Sequence, residues 1–406
     1  MKNNNFNSIT FFYPSRKIGG AQMLFIRLAL EISKYDNISV NIIDYRGGYL
    51  ESQVKNIEKI NVIPYIKGCT KIEHETILIT PLSNLLDINK LFNDDIKEVK
   101  ILLWSIHPEN LKFVLQGNGR KWFANEMKAK KIIKEIALKG VLTYMDAANF
   151  QEVKKKLSIE TQPEYLQIPI IIENEVQDIK IYSETVNIAW LGRLAQDKIY
   201  SILKIIDEIS ISEYKDKIVF HVIGGGVKES EIRKYLVRKK IKYVFTGVLE
   251  GRDLSRYMVE KIQIGVAMGT SCMEFATRRV PVFIVDYSAS KFPLNVKYDW
   301  LYQTQDYTLG MDVQGAMERK HNFDEIINDY LNDKTLGDKC YNYVKDNHDI
   351  GTVVKKLLNK CEALKEVEFS IFRNLNDFLI PTPLAEVYIL YSKIKKMLEK
   401  LIVIFN

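Results

Sequence analysis

Short apolar runs rich in Val, Ile, Leu and Phe alternate with helix-like stretches along almost the whole chain. This alternation limits the fold more than any single motif does. Strand candidates are 9–14, 39–45, 76–80, 99–107 and 140–144. After an apolar run at 167–172 the pattern starts again with 186–192, 218–224, 243–247, 264–268 and 280–286. Strands that read as continuous apolar runs and are separated by helices imply parallel sheets covered on both faces. We therefore expect an α/β protein of two doubly wound domains joined around 169–186. The length of 406 residues agrees, since single cores stop growing at about 250–300 residues. In such sheets a ligand sits at the carboxyl ends of the strands, so the residues just after each strand carry the argument.

Composition narrows the partners. The net charge is +7, with 58 Lys and Arg spread along the chain. That excess suits an anionic ligand or an anionic membrane surface. Nucleic-acid proteins more often gather their basic residues on one element or tail, and no such cluster stands out here. The four cysteines, Cys69, Cys272, Cys340 and Cys361, match no disulfide or metal framework, so a reducing cytosolic setting is expected. The opening MKNNNFNSITFFYPS is polar and then strand-like, and we read no secretory signal in it. No apolar run approaches the roughly 20 residues needed to span a bilayer.

Four strand ends hold candidate chemistry. The first leads into Ser15-Arg16-Lys17-Ile18-Gly19-Gly20-Ala21-Gln22 and a helix at 23–34 whose polar positions Arg27, Glu31 and Lys34 form a narrow stripe. Paired glycines let backbone approach a ligand where free N–H groups favour anions; equally, the loop needs glycine torsions for its own sake. The strand at 186–192 ends in Gly192-Arg193-Leu194-Ala195-Gln196-Asp197-Lys198. Arg193 and Lys198 can neutralise a diphosphate there, or be surface cations around a helix start. The strand 218–224 ends in Gly224-Gly225-Gly226. Its spacing fails the dinucleotide fingerprint, so a tight turn is the better reading, with His221 a core or face residue. In the last stretch, Gly269-Thr270-Ser271-Cys272-Met273-Glu274, a strand ends and a helix opens. Thr270 and Ser271 can meet phosphate oxygens and Glu274 a ribose. The alternative is a capping box, with Ser271 and Glu274 serving only the helix.

The order of these pieces resembles that of GT-B glycosyltransferases of the large retaining family 4, found in bacterial capsule, lipopolysaccharide and glycolipid assembly. The resemblance covers about residues 8–350 and rests on Gly19-Gly20-Ala21-Gln22, His107, Gly192-Arg193 with Lys198, the glycines after Ile223, Phe245-Thr246-Gly247-Val248, and Glu274 before Pro281-Val282. It implies two Rossmann-like domains facing a cleft: 1–180 on the acceptor side, 181–350 for the nucleotide sugar, and a helical segment 351–406 partly crossing back to the first. It also implies a transferase that moves a sugar from a nucleoside diphosphate to a hydroxyl of a glycan or lipid-linked acceptor. Arg193 and Lys198 would hold the diphosphate, with Thr270 and Ser271 beside them. Glu274 would bind the ribose, and backbone near Val248 would meet the base. Gly19 and Gly20 would lie beside the donor phosphate and the acceptor, and His107 would face the donor sugar; a strand-end capping histidine is the other reading of His107. No cofactor beyond the donor substrate is implied, and the absence of any Asp-x-Asp argues against a divalent metal held that way. One departure stands out. The family often has a second glutamate eight positions before Glu274, where this chain has Val266.

Two other functions share this architecture: a nucleotide-sugar epimerase, with His107 as its acid–base candidate, and a partner subunit without activity. Beyond 368, Val387, Leu390, Tyr391, Ile394, Leu398, Leu401 and Phe405 would share one helix face, with Lys393, Lys396 and Lys400 on another. That pattern fits a helix docked on its own protein or on a second copy, and fits equally a helix lying on the cytoplasmic membrane surface. If it binds membrane, removing 381–406 abolishes flotation with anionic liposomes; equal flotation of both forms removes that role.

Overall fold

A computed structural model describes residues 6–17, 19–93, 95–117, 121–123, 126–172, 185–315, 318–377 and 379–381. The helix face expected around Val387–Phe405 and its lysines lie outside the described residues. The chain divides into two units, one of Met1–Leu166 with Val354–Asn406 and one of Gln167–Val353. The helix Ile350–Ala363 carries the chain from the second unit into the first. The expected division at 180 falls in 173–184, outside the described residues.

The first unit is a parallel sheet of β1 (Ser8–Phe12), β2 (Ser39–Asp44), β3 (Ile60–Pro64), β4 (Ile77–Pro81) and β5 (Glu98–Ser105), in the order β3-β2-β1-β4-β5. A separate short strand, β6 (Lys121–Phe123), precedes β7 (Leu142–Tyr144), which continues the sheet beyond the carboxyl half of β5. In the second unit the parallel strands are β8 (Val186–Leu191), β9 (Ile218–Ile223), β10 (Lys242–Gly247), β11 (Ile264–Ala267) and β12 (Val282–Ile284). Their order is β10-β9-β8-β11-β12, closed by antiparallel β13 (Asp299–Trp300). Two strands from the end of the chain return to the first unit: β14 (Val367–Glu368) pairs with the start of β5, and β15 (Leu379–Pro381) with β6.

Both sheets thus have the doubly wound order, and the connections turn outward in opposite directions from β1 and β4, and from β8 and β11. The continuous apolar strands follow from burial on both faces. Along β8, Ile188 and Trp190 enter one core, with Ile202, Phe220 and Phe283. Ala189 and Leu191 enter the other, with Met258, Cys272 and Phe275. The edge strand β3 is half-exposed along much of its length, which blurs the apolar signal that marks the inner strands. The run at 167–172 makes no strand. Its one bridge joins Ile170 to Asp349, with Ile170 N–H donating to His348 O at 2.7 Å and Ile350 N–H to Ile170 O at 2.9 Å.

Backbone hydrogen bonds tie together the loops at the carboxyl edge of the second sheet. Gly192 N–H donates to Ile223 O and Leu194 N–H to Gly225 O, both at 3.0 Å; Gly224 N–H donates to Gly247 O at 2.8 Å and Lys228 N–H to Leu194 O at 3.0 Å. The approach is so close that a Cβ on Gly224 would overlap Gly192 O, and one on Gly226 would overlap Leu194 O. Gly224 also has φ +137°, a region costly for other residues. These glycines serve loop-to-loop packing. Replacing Gly224 by Ala is expected to cost about 2–5 kcal/mol, from strained backbone and overpacking together. Chemical denaturation of Gly224→Ala checks this, and unchanged stability would refute the close-packing account.

Candidate functional site

Strand order reverses between β8 and β11, so their carboxyl ends flank the crevice in which doubly wound sheets bind ligands. The loop after β8 carries Gly192, Arg193 and Lys198; the connection after β11 is only Met268-Gly269 before the helix Thr270–Ala276. Gly192 has φ +151°. The point that a Cβ would occupy on it lies 3.6 Å from Lys198 Nζ, 3.6 Å from Trp190 Nε1 and 3.9 Å from Ser271 Oγ. Residues from two strand ends thus place an ammonium, an indole N–H and a hydroxyl around one glycine.

Among the described residues none of these groups has a hydrogen-bond acceptor. Lys198 is half-buried, and among the described residues no hydrogen bond or ion pair holds its ammonium. Burial pushes its ammonium below the ordinary value of 10.5; Asp197 acts against the shift and Arg193 with it. Trp190 Nε1 is fully buried and has no hydrogen-bond partner among the described residues. Buried donors are nearly always satisfied, so a cluster of donors without an acceptor marks a place for an anion.

Arg193 stands apart from this cluster in its side chain. It is exposed and meets Asp197 at 3.7 Å, an exposed pair of little energetic weight that leaves the guanidinium able to turn. Thr270 and Glu274 are half-buried on the same short helix as Ser271. That helix is capped by Gly269, with φ +62° and no side-chain bond to the helix end. The capping-box alternative for Ser271 and Glu274 therefore fails. Gly269 N–H is instead tied to Leu309 O at 2.7 Å. Glu274 Oε2 accepts from Arg278 Nη1 at 2.8 Å, while Arg278 also donates to Ser255 Oγ and Glu274 O. This arrangement engages one oxygen of the carboxylate and leaves further acceptor capacity for hydroxyls.

Val248 follows β10, is 66% exposed, and its Cγ2 lies 3.2 Å from the Cβ point of Gly225. It thus lines the same loop edge, displaced toward β9. Val266 is buried within β11, in register with Trp190 and Phe283. The site of the missing glutamate is a core position, and a carboxylate there would be desolvated without a partner.

The remaining candidates belong to the first unit. Gly19 precedes the helix Gly20–Ile32 with φ −170°, extended backbone open to any residue, and a Cβ on Gly20 would meet nothing. Neither glycine is there for its torsion, which removes one of the two readings. The loop before them is held by Asp44, fully buried at the end of β2, which accepts from Ser15 N–H at 2.7 Å and Glu51 N–H at 3.1 Å. Sequence reasoning passed over Asp44, although a carboxylate closing an apolar strand was the available signal. His107 is exposed beyond β5, where its N–H donates to Asn110 Oδ1 at 3.0 Å and its Nδ1 accepts from Glu109 N–H at 3.1 Å. While Nδ1 accepts that bond, Nε2 is the ring nitrogen left to donate a hydrogen bond. His221 is buried, with Nδ1 2.7 Å from Tyr257 Oη and Nε2 3.2 Å from Asn187 Oδ1. Burial lowers it to about 4, which makes it a neutral structural residue.

No family profile and no curated protein sequence matches this chain. Solved structures do. The lipopolysaccharide outer core galactosyltransferase WaaB, in its apo form, is 10% identical with a TM-score of 0.61, over 88% of this chain and 99% of that one. A glycosyltransferase from Rickettsia africae is 13% identical with a TM-score of 0.58, over 88% and 98%. Anabaena HepE in complex with UDP is 11% identical with a TM-score of 0.55, over 88% and 100%. At such identities the likeness speaks for architecture alone, and it agrees with the two doubly wound sheets: the chain has the α/β fold of GT-B glycosyltransferases, built from two Rossmann-like units.

Proposed function

We propose that the chain is a glycosyltransferase that takes a sugar from a nucleoside diphosphate and gives it to a hydroxyl of a glycan or lipid-linked acceptor. The observation that carries this reading is the donor cluster of Lys198 and Ser271 around Gly192, without an acceptor among the described residues, at the carboxyl ends of β8 and β11. HepE, of the same fold, is described in complex with UDP, and WaaB as a galactosyltransferase of lipopolysaccharide. Both descriptions favour a nucleotide sugar over other anions.

In this reading Lys198 holds the diphosphate, and Arg193 turns from Asp197 to join it. Thr270 and Ser271 add hydroxyls, Glu274 takes the ribose, and the chain near Val248 meets the base. Gly19 and Gly20 serve the donor phosphate and the acceptor, and His107 serves the donor sugar as a hydrogen-bond donor. As the glycosidic bond breaks, the leaving diphosphate gains negative charge, and preorganised donors stabilise it where water is excluded. One such contact is typically worth about 3 kcal/mol of barrier. We place the enzyme with retaining, metal-independent transferases of bacterial surface polysaccharide synthesis, working on the cytoplasmic side of the membrane. A phosphate oxygen of the leaving group would accept the acceptor's proton. Nuclear magnetic resonance of the product anomer tests retention, and incubation with the sugar nucleotide alone separates transfer from epimerisation.

Substitution separates binding from folding. Arg193→Ala and Lys198→Ala are each expected to lower turnover by about a hundredfold or more, with the fold intact; near-wild-type rates in either variant would remove the assignment. Lys198→Met should leave the free protein at least as stable as the wild type, because a desolvated ammonium is removed and no ion pair is lost. The same variant should lose the thermal shift given by nucleoside diphosphates.

Protonation gives an independent test. Between the lowered value of Lys198 and 10.5 the unfolded chain binds more protons than the folded one, so this residue makes stability rise with pH across that window. A bound diphosphate favours the ammonium. Binding should therefore take up a proton in the window and weaken as pH rises through it. Calorimetry in alkaline buffers of differing ionisation enthalpy measures the uptake; no proton uptake would mean that Lys198 does not face the anion.

A further inference from the structure

Trp190 is the least expected member of the cluster. It lies inside β8, is wholly buried, and packs its ring in the core that also holds Ile202, Phe220 and Phe283. A phenylalanine would serve that packing without bringing a polar atom. The indole instead places an N–H that finds no acceptor among the described residues. Its neighbour in register, Val266, is apolar. The other polar atoms around the Cβ point of Gly192 are Lys198 Nζ, which only donates, and Ser271 Oγ.

We infer that Trp190 is a ligand-binding residue of this site, its indole N–H donating to an oxygen of the diphosphate held by Lys198 and Ser271. The inference rests on the proposed donor site and adds to it a contact that belongs to this chain's own strand. An indole N–H donates at every pH at which the protein is folded, and its direction is set by packing rather than by a flexible stem. It therefore supplies fixed geometry where Lys198 supplies charge. Nε1 is closed to water in the free protein, and the flexible side chain that shares the Cβ point of Gly192 with it is Lys198. Engagement of the N–H thus accompanies movement of Lys198 toward the anion.

The test uses the full chain labelled with nitrogen-15. Its four tryptophans give four indole N–H signals, and Trp190→Phe identifies one by deleting it. Inorganic pyrophosphate, a panel of nucleoside diphosphates, and the matching nucleosides are then titrated. The Trp190 signal is expected to move with pyrophosphate and with the bound nucleoside diphosphate, and to stay still with the nucleosides. Trp190→Phe should bind the same diphosphate about tenfold more weakly or worse, the loss expected for one hydrogen bond to a charged group. Its thermal midpoint without ligand should be no lower than that of the wild type. A wild-type protein that binds diphosphate with the Trp190 signal unmoved at saturation, or a variant of equal affinity, overturns the inference and leaves the donor site standing. A wild-type protein that binds none of the diphosphates overturns the donor site itself.

Discussion

The backbone contact between the loops after β8, β9 and β10 is the constraint on which the second unit's functional edge depends. Four hydrogen bonds join Gly192, Leu194, Gly224, Gly225, Gly247 and their neighbours. They form because Gly224 and Gly226 leave no Cβ between the two chains. This edge fixes Gly192 in an unusual conformation and delivers Lys198 to the start of the helix Ile199–Ile211. The glycines that look like a phosphate cradle serve another purpose: they hold the loop that presents the cation.

The other wall of the crevice is fixed differently. Asp286, just beyond β12, accepts from Arg319 Nε at 2.8 Å and from Met311 N–H at 2.9 Å, and Arg319 reaches Asp299 at 3.5 Å. All three charged side chains are buried, where ion pairs need good geometry to offset their desolvation. The bonds secure the chain on either side of Leu309, whose carbonyl receives Gly269 N–H. Gly269 opens the helix of Thr270, Ser271 and Glu274. A buried charge network thus sets the position of hydroxyls that it does not touch, and the first unit repeats the device with Asp44 bound to Ser15 N–H.

Much of the architecture was legible in the chain. Parallel strands buried on both faces must be apolar without interruption, so β1, β2, β4, β5 and the five parallel strands of the second unit stood out. The edge strand β3 did not, because it is half-exposed, and neither did β6, β13, β14 and β15, which are two or three residues long and sit in no continuous apolar run of the kind that marked β12. The run at 167–172 had the right composition but no neighbour to pair with beyond one bridge at Ile170. Of the candidate site, residues beside glycines at strand ends were visible as a pattern. Trp190 was hidden, since a tryptophan within an apolar strand reads as core.

By itself the sequence determined the alternation of buried strands and helices, the two doubly wound units, and the strand ends where polar residues interrupt the apolar pattern. These are local properties: burial on two faces and the end of a run can be read one segment at a time. Only the tertiary structure decided which donors meet. Lys198 and Ser271 are 73 positions apart (271 minus 198) and come together because β8 and β11 are neighbours across the point where the strand order reverses. It also decided that Glu274 faces Arg278 rather than capping its helix, that Val266 is closed to any carboxylate, and that the indole N–H of Trp190 finds no acceptor among the described residues. Each of these depends on which atoms from distant segments surround a given group, and so on packing that no single segment contains.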